Sequence, residues 1–113
     1  VKILLVEDES LIRMDMAWTL EKEGFEVWEA GDGGQTLAIL EDVGTFDLVV
    51  TDVDMPGPIN GLTLAFKICD HLPNCRILII SGGREPTANE MPEGSLLLSK
   101  LVSPTSLKMA VGA

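Results

Sequence analysis

A chain of 113 residues with 46% hydrophobic content is long enough to bury one core and too apolar to stay unfolded. Its 18 acidic residues outnumber 8 basic ones, giving a net charge of −10, which disfavours direct binding to nucleic acid or to anionic lipid. No apolar stretch approaches the roughly 18 residues of a membrane span, and no signal-peptide pattern opens the chain, so a cytoplasmic protein is expected.

Residues 2–6 form a continuous apolar run, the pattern of a strand buried on both faces of a parallel sheet. A helical pattern follows from about Glu9 to Glu23 and stops at Gly24, a residue suited to the left-handed position after a helix. Phe25 to Glu29 reads as a second strand, GDGG as a turn, and Thr36–Leu40 to about Asp42 as a short helix. Phe46 to Thr51 is the third strand, and Pro56–Gly57–Pro58 forces a loop after it. Gly61 to Asp70 supports a helix with Leu62, Ala65, Phe66 and Ile68 as its apolar contributors. Arg76–Ile80 and Ser95–Ser99 are the last two strands. The segment between them, GGREPTANEMPEG, is too rich in proline and too poor in apolar residues for a regular amphipathic helix, and one or two helical turns are expected there. Ser103-Pro104 fits the cap and first position of a final helix.

This alternation predicts a single α/β domain over residues 1–113, a parallel sheet covered by helices on both sides. Cys69 and Cys75 are expected to be reduced, partly buried thiols, and His71, the lone histidine, a surface residue.

The strand ends carry the chemistry. VKILLV runs into Glu7 and Asp8, FDLVVT into Asp52, RILII into Ser81 and SLLLS into Lys100. In open α/β sheets the C-terminal ends of parallel strands face the ligand crevice, so these side chains are expected to converge there. Helix electrostatics alone would account for Glu7-Asp8, since acids are favoured at a helix N-terminus. Asp52 is harder to explain that way, because a carboxylate at the end of a fully apolar strand costs desolvation unless something charged pairs with it. Asp54 offers its backbone carbonyl as readily as its carboxylate. Three carboxylates gathered in this way would repel one another, which favours either their protonation or the recruitment of a cation. Hard oxygen ligands with few protein contacts suit Mg²⁺, which keeps several waters and binds phosphate. A metal, a lysine and a hydroxyl are what a transferring phosphoryl group needs around its oxygens, with Asp52 as nucleophile.

VKILLVEDES with Arg13 in the helix after it, VVTDVDMPG, a strand ending in Ser-Gly and a strand ending in Lys100 together resemble the receiver domain of two-component response regulators. The resemblance covers essentially the whole chain. It implies a flavodoxin-like, doubly wound, five-stranded sheet of order 2-1-3-4-5. It implies that Asp52 accepts a phosphoryl group from a histidine kinase or a histidine phosphotransfer protein. Asp8, the Asp52 carboxylate and the Asp54 carbonyl would coordinate Mg²⁺, with Glu7 acting mostly through water. Ser81 and Lys100 would each contact a phosphoryl oxygen, and an in-line water would reset the switch. The partners implied are that phosphodonor and an unknown downstream protein, with the domain itself a monomer or weak dimer.

Leu97 stands where most receivers carry Tyr or Phe, so coupling through an aromatic rotamer is not expected in its usual form. Leu101 replaces a common proline, and a trans bond at Lys100–Leu101 is expected, since a cis bond before a non-proline residue costs about 2.5–4 kcal/mol. The loop after Asp52 reads one residue longer than usual, and the short Ser81-to-Lys100 interval shortens the fourth helix. The first helix carries two apolar stripes, Ile12, Met16 and Leu20 on one and Leu11, Met14 and Trp18 on the other, and both cannot face the sheet. Packing of Trp18 at the sheet margin is the simpler expectation; a docking surface for a kinase or phosphotransfer helix is the alternative.

Two other functions compete. A phosphatase of the haloacid-dehalogenase type also uses an apolar strand followed by Asp-x-Asp, but normally on its first strand, whereas Asp52-Val53-Asp54 follows the third. A pseudo-receiver that binds without accepting phosphate would not need Glu7, Asp8, Asp52, Ser81 and Lys100 together.

Overall fold

The computed structural model describes residues 1–53, 60–82 and 86–99. Strands β1 (Lys2–Val6), β2 (Glu26–Ala30), β3 (Leu48–Asp52), β4 (Arg76–Ser81) and β5 (Leu96–Ser99) form one sheet in the order β2-β1-β3-β4-β5. Every pairing is parallel. The order places β1 and β3 side by side at the centre, where the chain reverses its direction of winding. That reversal is where a doubly wound sheet opens a crevice at its C-terminal edge.

Side-chain alternation divides the strands between two cores. Leu4, Val6, Val49, Ile77 and Ile79 face one side, packed with Leu64, Ala65 and Ile68 of α3 (Gly61–His71) and with Ile39, Leu40 and Val43 of α2 (Gly33–Val43). Ile3, Leu5, Leu48, Val50, Leu78 and Ile80 face the other, against Met16, Ala17 and Leu20 of α1 (Ser10–Lys22). With both faces covered, the central strands have no polar face, so β1 and β3 read as continuous apolar runs rather than alternating ones.

The helices differ in how they begin and end. Asp32 caps α2 by accepting the Gln35 amide at 2.8 Å, and Asn60 caps α3 by accepting the Thr63 amide at 2.9 Å. The first cap lies earlier than the sequence suggests: the GDGG stretch expected as a turn gives its last two glycines to the helix, because Asp32 satisfies the orphan donors there. α1 ends as expected at Gly24, whose φ of +93° is the left-handed conformation that favours glycine. Strands β2 and β3 begin one or two residues later than read, at Glu26 and Leu48. His71 closes α3, exposed, with Nδ1 against the Lys67 carbonyl at 2.8 Å. Cys69 and Cys75 are free, half-buried thiols.

Among the described residues, the connection from β4 to β5 holds a single 3-10 turn, Ala88–Glu90, closed by a capping box between Thr87 and Glu90. This agrees with the short or degenerate fourth helix. The Pro56–Gly57–Pro58 loop, Asp54, Gly83, Lys100, Leu101 with its expected trans bond, and the Ser103-Pro104 helix start lie outside the described residues. No helix among the described residues is long and apolar enough to cross a membrane.

Two apolar expectations are corrected. Trp18 does not pack at the sheet margin: it is 62% exposed, with the Lys22 ammonium 4.7 Å from its ring centroid. Leu11 and Met14 share that outward stripe at 81% and 58% exposure. The helix can turn only one arc toward the sheet, and Met16, Ala17 and Leu20 occupy it. Phe66 likewise is only partly covered, because the sheet side of α3 is taken by Leu64, Ala65 and Ile68.

Candidate functional site

Sheet register assembles the site. Val6 pairs with Thr51, so Glu7 and Asp52 each lie one residue further along neighbouring central strands. The Glu7 amide still donates to the Ala30 carbonyl at 3.1 Å, keeping the β1 end in line with the ladder. Asp52 pairs with Ile80, which puts Ser81 one residue beyond it on β4, and Ser81 in turn pairs with Ser99, immediately before Lys100.

One carboxylate oxygen from each of Glu7, Asp8 and Asp52 lies within 4.8 Å of the others. Glu7 is 2% exposed and Asp52 3%, while Asp8 faces solvent. Ser81 is 5% exposed. Two nearly dry carboxylates beside a third form a strongly negative pocket with one open side. Such charges are tolerated where hydrogen bonds and a cation offset desolvation and mutual repulsion. The donor set is all carboxylate oxygen, which suits Mg²⁺ with water completing its coordination, and does not suit a soft metal.

The turn that presents Asp8 is tied on both sides. Glu7 Oε1 accepts the Glu9 amide at 3.2 Å, and the Glu7 carbonyl accepts a bond from Arg13 Nη1 at 2.8 Å. The N-cap of α1 is Glu9, without a side-chain capping bond, and no acid stands in the first turn of the helix. Behind Asp52, the Val53 amide donates to the Ile80 carbonyl at 3.1 Å, and the Gly61 amide donates to the Val53 carbonyl at 2.9 Å. Gly61 packs so closely there that a Cβ on it would fall on the Asp52 carbonyl oxygen.

Of the residues expected to converge, Glu7, Asp8 and Asp52 are brought together, and Ser81 lies on the adjoining strand end. Asp54 and Lys100 lie outside the described residues. Two residues that shape the site carry a faint sequence signal. Gly61 directly follows a capping asparagine, where a better helix former is the usual choice. Arg13 was visible only as part of a family pattern, with nothing to say what it holds.

The chain matches a family model described as the response regulator receiver domain over residues 3–111. It is 35% identical over 107 residues to the sensor kinase CckA of Brucella abortus, covering 94% of this chain and 11% of that protein. It is 36% identical over 80 residues to the aerobic respiration control protein ArcA of Escherichia coli, covering 71% of this chain and 32% of that one. A response regulator receiver domain protein from Clostridium thermocellum superposes with a TM-score of 0.89 at 30% identity, covering 99% of this chain and 91% of that chain. The receiver domain of the hybrid histidine kinase CckA superposes at 0.86 with 37% identity, covering 99% and 96%. The chain spans between 11% and 32% of the length of the curated relatives it matches.

Proposed function

The chain belongs to the response regulator receiver domain family, and from that premise we propose that residues 1–113 are one receiver domain working as a phosphorylation-dependent switch, with Asp52 as phosphoacceptor. The observation that carries this reading is the cluster of Glu7, Asp8 and Asp52 at the ends of the two central strands. In the proposed reaction an Asp52 carboxylate oxygen attacks the phosphorus of a phosphohistidine on a histidine kinase or phosphotransfer protein. The new O–P bond forms as the P–N bond breaks, and the electron pair stays with the leaving imidazole, which takes up a proton. Glu7, Asp8, Asp52 and the Asp54 carbonyl would hold Mg²⁺, which when bound offsets the negative charge of the phosphoryl oxygens. The Ser81 hydroxyl donates to one phosphoryl oxygen and the Lys100 ammonium to another, each stabilising charge that develops during transfer. Water attacking the phosphorus in line breaks the Asp52 O–P bond, releasing inorganic phosphate and returning Asp52 to the carboxylate. The chemistry is self-directed, with no turnover of an external substrate.

Partner recognition on this reading uses the outward stripe of Leu11, Met14 and Trp18 on α1, an apolar surface suited to a helix of the phosphodonor. The domain acts in the cytoplasm as a monomer or weak dimer and signals by altering its binding to a downstream protein. Leu97 packs against the α2–α3 core rather than offering an aromatic switch, so the change at Ser81 reaches the surface by another route.

Incubation with acetyl phosphate and Mg²⁺, followed by intact-mass measurement, tests the assignment. The expected product is a single phosphoryl adduct labile to hydroxylamine, absent from Asp52→Asn. Labelling that survives this substitution would refute Asp52 as the acceptor. Failure of the unaltered chain to label would favour the pseudo-receiver, and rapid hydrolysis of a generic phosphate ester would favour the phosphatase.

A further inference from the structure

Arg13 occupies a position that the phosphoryl chemistry does not use. It sits in the first turns of α1, and its guanidinium spans the gap between two strand ends. Nη1 donates to the Glu7 carbonyl at 2.8 Å, and Nε donates to Glu29 Oε1 on β2 at 3.3 Å. The guanidinium also packs against the turn after β2, where a Cβ on Gly31 would lie 3.1 Å from Nη1. That turn is itself fixed, because the Gly31 amide donates to Gln35 Oε1 at 2.8 Å.

We propose that Arg13 is a positioning residue for the cation pocket: its fork locks the peptide between Glu7 and Asp8 to the edge strand and so presets Asp8 for metal binding. Asp8 is the exposed member of the cluster, on a turn rather than in the ladder, and has the most orientational freedom to lose when a cation binds. Fixing the carbonyl just before it removes part of that loss beforehand. A planar fork serves where a point charge does not, since two acceptors on different strands must be held at once. The inference rests on the proposed Mg²⁺ site.

The sign of the effect separates positioning from simple electrostatics. A positive charge this close to the pocket repels a cation, so on charge alone its removal would tighten binding. Arg13→Lys keeps the charge and loses the fork. We expect it to weaken Mg²⁺ binding by roughly tenfold, the lower end for groups that orient metal ligands. At saturating Mg²⁺ the rate of labelling by acetyl phosphate should return to that of the unaltered chain. In the metal-free protein, hydrogen exchange at the Glu7 and Glu9 amides should accelerate in Arg13→Lys, and also in Glu29→Ala, which removes the distal anchor. Circular dichroism confirms that each variant is folded. Unchanged exchange in both variants, or an unchanged Mg²⁺ dissociation constant in Arg13→Lys, would overturn the proposal. If the unaltered chain binds no Mg²⁺ at millimolar concentration, the metal site itself falls, and this inference with it.

Discussion

Replacing Gly61 by alanine sets two known effects against each other. Alanine is the better helix former by up to about 1 kcal/mol, and less at the first position of a helix. Against that, the added methyl carbon falls on the Asp52 carbonyl oxygen, 2.7 Å from its carbonyl carbon and 3.0 Å from Val53 Cα. All three neighbours are backbone atoms of the central strand end, so no side chain can rotate away. Overpacking costs typically about 1–3 kcal/mol, and contact with backbone belongs at the upper end. The net loss is about 2 kcal/mol, which for a domain of this size lowers the melting temperature by roughly 8 °C. Relief by displacing the strand end would move Asp52, and misplacing a reacting group by about 1 Å slows a reaction up to roughly a hundredfold. Thermal unfolding followed by circular dichroism reads the first effect, and labelling by acetyl phosphate the second. Gly34→Ala is the control: its Cβ meets only Asp32 Oδ1 at 3.4 Å, an ordinary contact, and it should stabilise α2 by about 0.5 kcal/mol. A Gly61→Ala variant that melts at or above the unaltered protein would refute the steric reasoning.

Asp32→Ala removes the acceptor for the Gln35 amide and should cost about 1 kcal/mol, seen as a lower urea midpoint at unchanged slope. Trp18→Ala should leave the midpoint within about 0.5 kcal/mol, since the ring is exposed, while slowing transfer from a phosphohistidine donor and sparing transfer from acetyl phosphate. Equal slowing with both donors would place Trp18 in folding or chemistry rather than docking. Burial, with a smaller contribution from Asp47, raises the Cys75 thiol from 9.0 to about 11. Its alkylation by iodoacetamide should therefore climb steeply only toward pH 11. Between those two values the unfolded chain has released a proton that the folded chain keeps. Cys75 therefore subtracts stability as pH rises from 9 to 11, and Cys75→Ala should flatten that decline.

The strand ends were legible because burial on both sheet faces leaves polar residues only where a strand stops. Glu7 and Ser81 each follow an unbroken apolar run and Asp52 follows one interrupted only by Thr51, and that boundary marks the crevice without any knowledge of tertiary contacts. The order of the strands was legible only through resemblance, because spacing alone does not say which strands pair. Trp18 was misread for a related reason: two apolar stripes on one helix show that one must face outward, and local pattern does not say which. The α2 boundary failed on a local competition, where Asp32 could form either the turn or the cap; it caps the helix, with the Thr36 hydroxyl donating to its carbonyl. The clamp made by Arg13 was beyond reach, since it joins residues 16 positions apart through side-chain geometry.

The sheet ends on β2, a strand with hydrogen-bonding groups open on one side. A bare edge of this kind is a template for another chain to extend the sheet and begin an aggregate. Here the strand is short, and Glu26 and Glu29 stand exposed along it. A second copy arriving edge to edge would bring like charges together on a chain that already carries −10. The acidity of β2 thus works against edge-to-edge growth at this margin of the five-stranded sheet.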